Sequence, residues 1–167
     1  MKGELEPEVM STLSSHIDED SVFWEVGAAW GYFSMAMATV AKDVVAFEVM
    51  PERTEKIRMS ANKNGFDHIQ VVEGTVGEDV KLDSYTKPDL VLIDIEGCEY
   101  EALRDATKLI EYRPIMVIEI HENPSSAPGD PEINPDGLFE LLEDAGYNIS
   151  RIQARDETNY HVVAKPE

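Results

Sequence analysis

Ser21-Val22-Phe23-Trp24-Glu25-Val26-Gly27-Ala28-Ala29-Trp30-Gly31 is the stretch that decides the fold of this chain. An apolar run ending in the carboxylate Glu25 reads as a buried strand, and the glycines that follow read as a tight turn into the helical stretch Tyr32–Ala41. Glycine suits such a turn because the chain needs backbone angles closed to residues with a Cβ and because a ligand must approach the main chain. The turn is therefore a candidate cofactor site.

Outward from this stretch, strands and helices alternate. Glu6–Ile17 spaces Val9, Met10, Leu13 and Ile17 along one helical face. Val22–Val26 is the first strand, Trp30–Ala41 a largely apolar helix, and Val44–Val49 a second strand closed by Glu48. Met50-Pro51 starts a helix with proline in its first turn, and Asn64-Gly65 stops it. Ile69–Glu73, Asp89–Ile95 and Pro114–Ile120 follow as strands, with a helix over Glu99–Tyr112. The proline-rich 122–135 segment reads as a substrate-side loop, Asn134-Pro135 caps a helix ended by Gly146, and Tyr147–Ile152 and Tyr160–Ala164 form a hairpin. Alternation of this kind implies a parallel sheet with helices on both faces, and a final hairpin without a helix adds one antiparallel edge strand. The expected fold is α/β, a three-layer αβα Rossmann-like doubly wound sheet of seven strands.

The 167 residues amount to one domain, 1–167, in which 1–20 is an N-terminal helical segment. Asp and Glu total 34 against 14 Lys and Arg, for a net charge of −20. A surface of that sign repels phosphate backbones and anionic lipid, so neither nucleic acid nor a membrane is expected as a partner. It also suits a high-salt habitat, where excess charge is screened. Cys98 is the single cysteine, which rules out an intrachain disulfide and points to a reducing compartment. Ala28–Ala41 is shorter than the roughly 20 residues that span a bilayer, and Met1–Met10 lacks the apolar core of a signal peptide. A cytoplasmic protein is expected, and a homo-oligomer stays open.

In open α/β sheets ligands sit at the carboxyl ends of the strands where the winding reverses. Glu25 and Glu48 close the first two strands, and Glu48 falls near the place of the ribose-binding carboxylate of a dinucleotide fold. Val49 flanks it, and Glu73-Gly74-Thr75 is placed to meet an adenine. The turn reads E-x-G-x-x-x-G rather than the dehydrogenase G-x-G-x-x-G, and a carboxylate beside it repels a diphosphate. A cationic nucleoside fits better, and S-adenosylmethionine, with its ammonium and sulfonium, is one. The cofactor-binding candidates are Glu25, Gly27, Ala28, Gly31, Glu48, Val49, Gly74, Thr75 and Asp94.

Glu25-Val-Gly-Ala-Ala-Trp-Gly31, Ala46-Phe-Glu48, Asn62-Lys-Asn64-Gly65, Asp94-Ile-Glu96-Gly97-Cys-Glu99 and Pro114–Glu119 resemble successive motifs of the FkbM-type S-adenosylmethionine-dependent methyltransferases. The similarity runs from about Val22 to Ile152 and is sharpest at Leu92-Ile-Asp-Ile-Glu-Gly-Cys-Glu, near the family's K-I-D-V-E-G-x-E. It implies the class I methyltransferase sheet in order 3-2-1-4-5-7-6, with methyl transfer to a hydroxyl oxygen. Glu25 stands where the family usually has Asp, Leu92 where it has Lys, and Ser60 where it often has Asn.

Attack on a sulfonium methyl needs proximity and desolvation, and a base helps where the acceptor is a hydroxyl. Asp94 and Glu96 end the fourth strand and Glu119 and His121 the fifth, so the four can converge. Asp94, then His121, then Glu96 are the candidate bases, for a small-molecule or sugar hydroxyl acceptor. The expected site contains no metal ligand; the alternative is a divalent ion held by carboxylates and an imidazole. A nicotinamide-dependent oxidoreductase and a non-catalytic protein that retains the fold are the competing readings.

Overall fold

The computed structural model describes residues 6–122, 133–154 and 158–167. Its strands are β1 Val22–Val26, β2 Asp43–Glu48, β3 Ile69–Glu73, β4 Leu90–Ile93, β5 Ile115–His121, β6 Tyr147–Ala154 and β7 Asn159–Pro166. They form one sheet in the order β3-β2-β1-β4-β5-β7-β6, with β7 antiparallel to both of its neighbours and β1 to β5 parallel. The expected topology is the observed one. The winding reverses beside β1, so the carboxyl ends of β1 and β4 flank a crevice.

Central strands rich in Val, Ile, Leu and Phe bury both faces, as a covered parallel sheet requires. On one face Trp24, Phe47, Ile93, Met116 and Ile118 pack beneath the helices of the C-terminal half. Trp24 meets Phe47 edge-on at 5.4 Å between ring centroids, a geometry worth about 1 kcal/mol beyond the area it buries. On the other face Phe23, Val44, Leu92 and Val117 join Val9 and Leu13 of α1, Pro7–Ser15.

The helix after β1 is shorter than its apolar composition suggests. α2 covers Tyr32–Met37 and buries Phe33, Ser34 and Met37, whereas Trp30 and Tyr32 remain 57% and 46% exposed. Two aromatics that could have been core thus stand at the rim of the crevice. α3, Pro51–Asn64, begins at its proline and ends at Gly65 in the left-handed region.

The single helix expected over Glu99–Tyr112 is two, α4 Glu99–Arg104 and α5 Thr107–Tyr112. Asp83, from the short turn Leu82–Ser84, accepts hydrogen bonds from the backbone N–H groups of Lys108 and Leu109, each at 3.1 Å. A carboxylate there satisfies amides that a new helix N-terminus leaves without partners, so the chain restarts at Thr107. α6, Pro135–Asp144, is capped as expected: Asn134 Oδ1 accepts from the Gly137 N–H at 2.9 Å. Of the segment read as a substrate-side loop, residues 123–132 lie outside the described residues. Among the described residues no helix is long and apolar enough to cross a membrane.

Candidate active site

The turn after β1 is tied to β2, for the N–H groups of Gly27 and Ala28 both donate to the Phe47 carbonyl, at 3.0 and 2.8 Å. Gly27 has φ +89°, and a Cβ there would lie 1.8 Å from the Asp94 carbonyl oxygen; at Gly31, φ +74°, it would lie 2.9 Å from Ile57. The demand for glycine comes from the chain's own packing, as the turn is pressed between the end of β4 and α3. The turn in turn separates two cavities.

The first cavity, of about 270 Å³, is lined by Glu48, Val49, Gly74, Thr75, Ile95 and Cys98 among others. Glu48 is buried, with Oε2 accepting from the Ala29 N–H at 2.7 Å and Oε1 from the Met50 N–H at 2.8 Å. Two backbone donors fix the carboxylate, and each oxygen keeps a lone pair for a further donor such as a ribose hydroxyl. The second cavity, of about 800 Å³, lies on the α2 side and is lined by Glu25, Ala28, Trp30, Gly31, Tyr32 and Phe66, among others. Gly27, Ala29, Arg53, Asp94 and Glu96 border both. Among the described residues Arg53 is the one basic side chain on either lining; it lies 3.8 Å from Glu48 and 5.7 Å over the Trp30 ring.

Glu25 turns beneath the second cavity onto α2. Its Oε2 accepts from the Ser34 N–H at 2.7 Å and from the Ser34 hydroxyl. Burial pushes its carboxyl up to about 7 against those hydrogen bonds, with the charge of Glu48 adding to the shift. A carboxylate at this point satisfies an amide of the first turn of α2 and so anchors the glycine turn from below.

At the ends of β4 and β5, Asp94, Glu119 and His121 bring one oxygen or nitrogen each within 4.8 Å of the others. Glu119 is wholly buried and His121 nearly so. Asp94 Oδ1 is buried with no hydrogen-bond partner among the described residues. Burial, then the hydrogen bond and charge of Glu119, push the Asp94 carboxyl up to about 8. For His121, burial acts to lower the pKa, but Glu99 outweighs it with a hydrogen bond and its charge, aided by Glu119 and Asp94, and the imidazole is held above its ordinary value. Glu99, at the start of α4, lies 3.0 Å from His121 Nδ1 and accepts from the Gly97 N–H at 3.0 Å. Glu96 is exposed and stands 3.5 Å from His121 Nε2. The Cys98 thiol is pushed up by burial and by the charges of Glu99, Glu101 and Glu78.

Of the residues expected at the site, all but His121 line one or both of these cavities, with Glu25 engaged with Ser34 and Glu96 exposed, while His121 stands beside Asp94 at the end of β5 and lines a separate small cavity with Glu99. Glu99 and Arg53 are absent from the expected set. Glu99 closes the Asp94–Glu99 motif and could have been picked out there; Arg53 carries no local signal, since only the fold brings the first turn of α3 over Trp30.

A doubly wound sheet in this order, with an anionic crevice across the ends of β1 and β4, is the class I methyltransferase fold. Within that class the chain belongs to the FkbM family, for residues 59–149 match the methyltransferase FkbM domain. It is 29% identical over 149 residues to an uncharacterized RNA methyltransferase of Oceanobacillus iheyensis, covering 85% of this chain and 29% of that one. It is 26% identical over 138 residues to a 23S rRNA (uracil(1939)-C(5))-methyltransferase of Salmonella choleraesuis, covering 83% of this chain and 30% of the relative. The chain thus spans under a third of the length of either relative. The fold is also that of M. jannaschii TYW2 in complex with AdoMet, with TM-score 0.68 and 19% identity over 99% of this chain and 77% of that one.

These relatives correct one expectation. The net charge of −20 was read as excluding nucleic acid, yet the matched relatives are RNA methyltransferases. Net charge sets the mean field over a surface, whereas recognition depends on local groups and on segments beyond the matched part, so the sum excludes nothing at the crevice.

The residues present fit the cofactor. Glu48 keeps acceptor capacity toward ribose hydroxyls, and the unpartnered Asp94 Oδ1 and the carboxylates around it suit a ligand with cationic centres.

Proposed function

We propose that this methyltransferase delivers its methyl group to a hydroxyl oxygen. The observation that carries the reading is the convergence of Asp94, Glu119 and His121 at the ends of β4 and β5, beside the crevice that Asp94 itself borders. Bound S-adenosylmethionine supplies an electrophilic methyl on a sulfonium centre. Glu48 would hold the ribose, with Val49, Gly74 and Thr75 along the adenosine side; Gly27, Ala28 and Gly31 would shape the floor, and Glu25 would fix that floor through Ser34.

Asp94 is the first candidate to take the hydroxyl proton, His121 the second and Glu96 the third. Both Asp94 and Glu96 border the two cavities, but Asp94 is largely enclosed whereas the Glu96 side chain is exposed. Glu99 acts as a positioning residue, holding the His121 ring by Nδ1. Methylation of an aromatic carbon is less well served. It calls for a nucleophile to activate the ring, and the chain's one cysteine has its thiol pushed up rather than down.

The acceptor molecule has two supported sources. A small alcohol or sugar is one, and the relatives' names point to RNA as the other, with a uracil carbon as the methylated atom in the Salmonella enzyme. Methyl-labelled cofactor offered to both tests the reading. Label recovered as an alkali-stable methyl ether supports oxygen transfer, and label on carbon or nitrogen overturns it. Asp94→Asn should lower kcat by roughly 100-fold or more, a larger loss than any it causes in cofactor affinity.

A further inference from the structure

Two exposed aromatics flank the second glycine of the turn. Phe23, Trp24 and Phe47 are wholly buried and Phe33 nearly so, yet Trp30 and Tyr32, on either side of Gly31, stay open to solvent. Trp30 is the most exposed large apolar side chain among the described residues. Tryptophan is highly buried on average, so an indole left in water beside a cavity marks a surface with a ligand to cover it.

Both rings line the second cavity, of about 800 Å³, together with Phe33 and the half-buried Phe66. Neither ring is loose. The Arg53 guanidinium lies 5.7 Å from the centre of the Trp30 ring, and Tyr32 meets Phe33 edge-on at 5.3 Å between centroids. Rings held by their neighbours lose little further freedom when a ligand lies against them.

The rest of the lining sets the charge of that ligand. Arg53 is the one basic side chain there among the described residues, facing the carboxyl groups of Glu6, Glu25, Asp94 and Glu96, and it already stands 3.8 Å from Glu48. A phosphate entering this cavity would meet more acid than base. An uncharged planar ring loses nothing to that field and gains an aromatic face on which to stack, which an aliphatic ligand of equal area does not.

We infer that Trp30 and Tyr32 form a stacking platform for the acceptor, which presents to the second cavity an uncharged nucleobase-type ring and carries its hydroxyl on the attached sugar. The inference rests on the hydroxyl reading above and narrows the acceptor to a nucleoside, either free or within an RNA strand whose phosphates stay outside the cavity. Asp94 borders both cavities, so a ring on the α2 side lies in the same crevice as the first candidate base. The two aromatics thus select the acceptor and take no part in bond making.

The test uses the whole chain saturated with S-adenosylhomocysteine, so that the adenosine side is filled, and titrates it with uridine, a short oligouridylate or ribose. The chain has two tryptophans, and Trp24 is wholly buried, so a stacked base quenches the emission of Trp30. Saturable quenching by uridine is expected, with ribose binding at least roughly tenfold more weakly in calorimetry. Trp30→Leu, at an exposed position, should weaken uridine roughly 5- to 100-fold, and Trp30→Phe, which keeps an aromatic face, should restore most of the loss. Oligouridylate that binds more tightly than uridine at roughly 0.3 M salt supports the platform and assigns the ring to an RNA strand, whereas no gain over uridine supports it with a free nucleoside. Ribose that binds as well as uridine, or Trp30→Leu protein with wild-type affinity for uridine, overturns the inference. The two readings fail differently. If oxygen transfer is wrong, uridine quenches Trp30 while methyl label appears on carbon or nitrogen; if the platform is wrong, nucleosides are methylated on oxygen with the same KM in Trp30→Leu as in the wild type.

Discussion

The two halves of the crevice are held in opposite ways. On the side proposed for adenosine, the carboxylate Glu48 is fixed by backbone amides at 2.7 and 2.8 Å, and the turn is shaped by main-chain angles and close packing. On the side proposed for the acceptor, carboxylates at the ends of β4 and β5 and on α4 gather around His121. The first half is fixed by its own backbone, whereas the second rests on side chains drawn from three elements. A site built from backbone suits a cofactor common to a family, and a site built from convergent side chains can be revised residue by residue for an acceptor.

The backbone half should be the harder to change. Gly27→Ala is expected to have the largest effect, because its Cβ would stand 1.8 Å from the Asp94 carbonyl oxygen at φ +89°. Relief requires the end of β4 to move, so a loss on the order of 3 kcal/mol or more is expected in denaturant unfolding. A variant of near wild-type stability would mean that the turn is not pinned by β4.

Glu25 comes next, since it is the one strained charge in the backbone half. Its carboxyl rises from 4.5 to about 7 on folding, so the folded state holds its proton more tightly than the unfolded chain. The sign follows: this stability is fully present below about pH 4.5 and is lost as pH rises through 7. Glu25→Gln should therefore gain stability above pH 7, on the order of 2 to 3 kcal/mol, and little at pH 4.5. Parallel unfolding curves at the two pH values would show that Glu25 is not buried as a shared anchor of Ser34.

How far these halves were legible in the sequence follows from the same difference. The sheet order, the carboxylate closing β2 and the glycine turn could be read locally, because alternation, strand ends and breakers are short-range signals. The break between α4 and α5 could not, since Asp83 caps α5 from a distant turn. The orientation of Glu25 onto Ser34 likewise needs β1 and α2 folded together. On the acceptor side Asp94, Glu96 and His121 stand out as strand-end residues. The hold of Glu99 on His121 does not, because it depends on how α4 packs against the end of β5.

Glu48→Ala should weaken cofactor binding by roughly 10- to 100-fold in calorimetry, as ribose hydroxyls lose an acceptor that two amides had fixed in place. Affinity for the acceptor should change far less if the halves are as separate as their construction implies. Equal losses for both ligands would merge them.

The smallest effect is expected at Cys98, and its smallness is informative. The thiol lines the first cavity and lies next to Glu99, yet burial and three nearby carboxylates hold it in the protonated form. A protonated thiol is a poor nucleophile, and the isosteric Cys98→Ser keeps most of its volume. Stability should shift by no more than about 0.5 kcal/mol, and kcat with an alcohol acceptor by less than about twofold. A collapse of kcat with intact cofactor binding would place a covalent step at Cys98. The adenosine half would then carry chemistry that its backbone construction does not suggest, and carbon rather than oxygen would become the atom to examine.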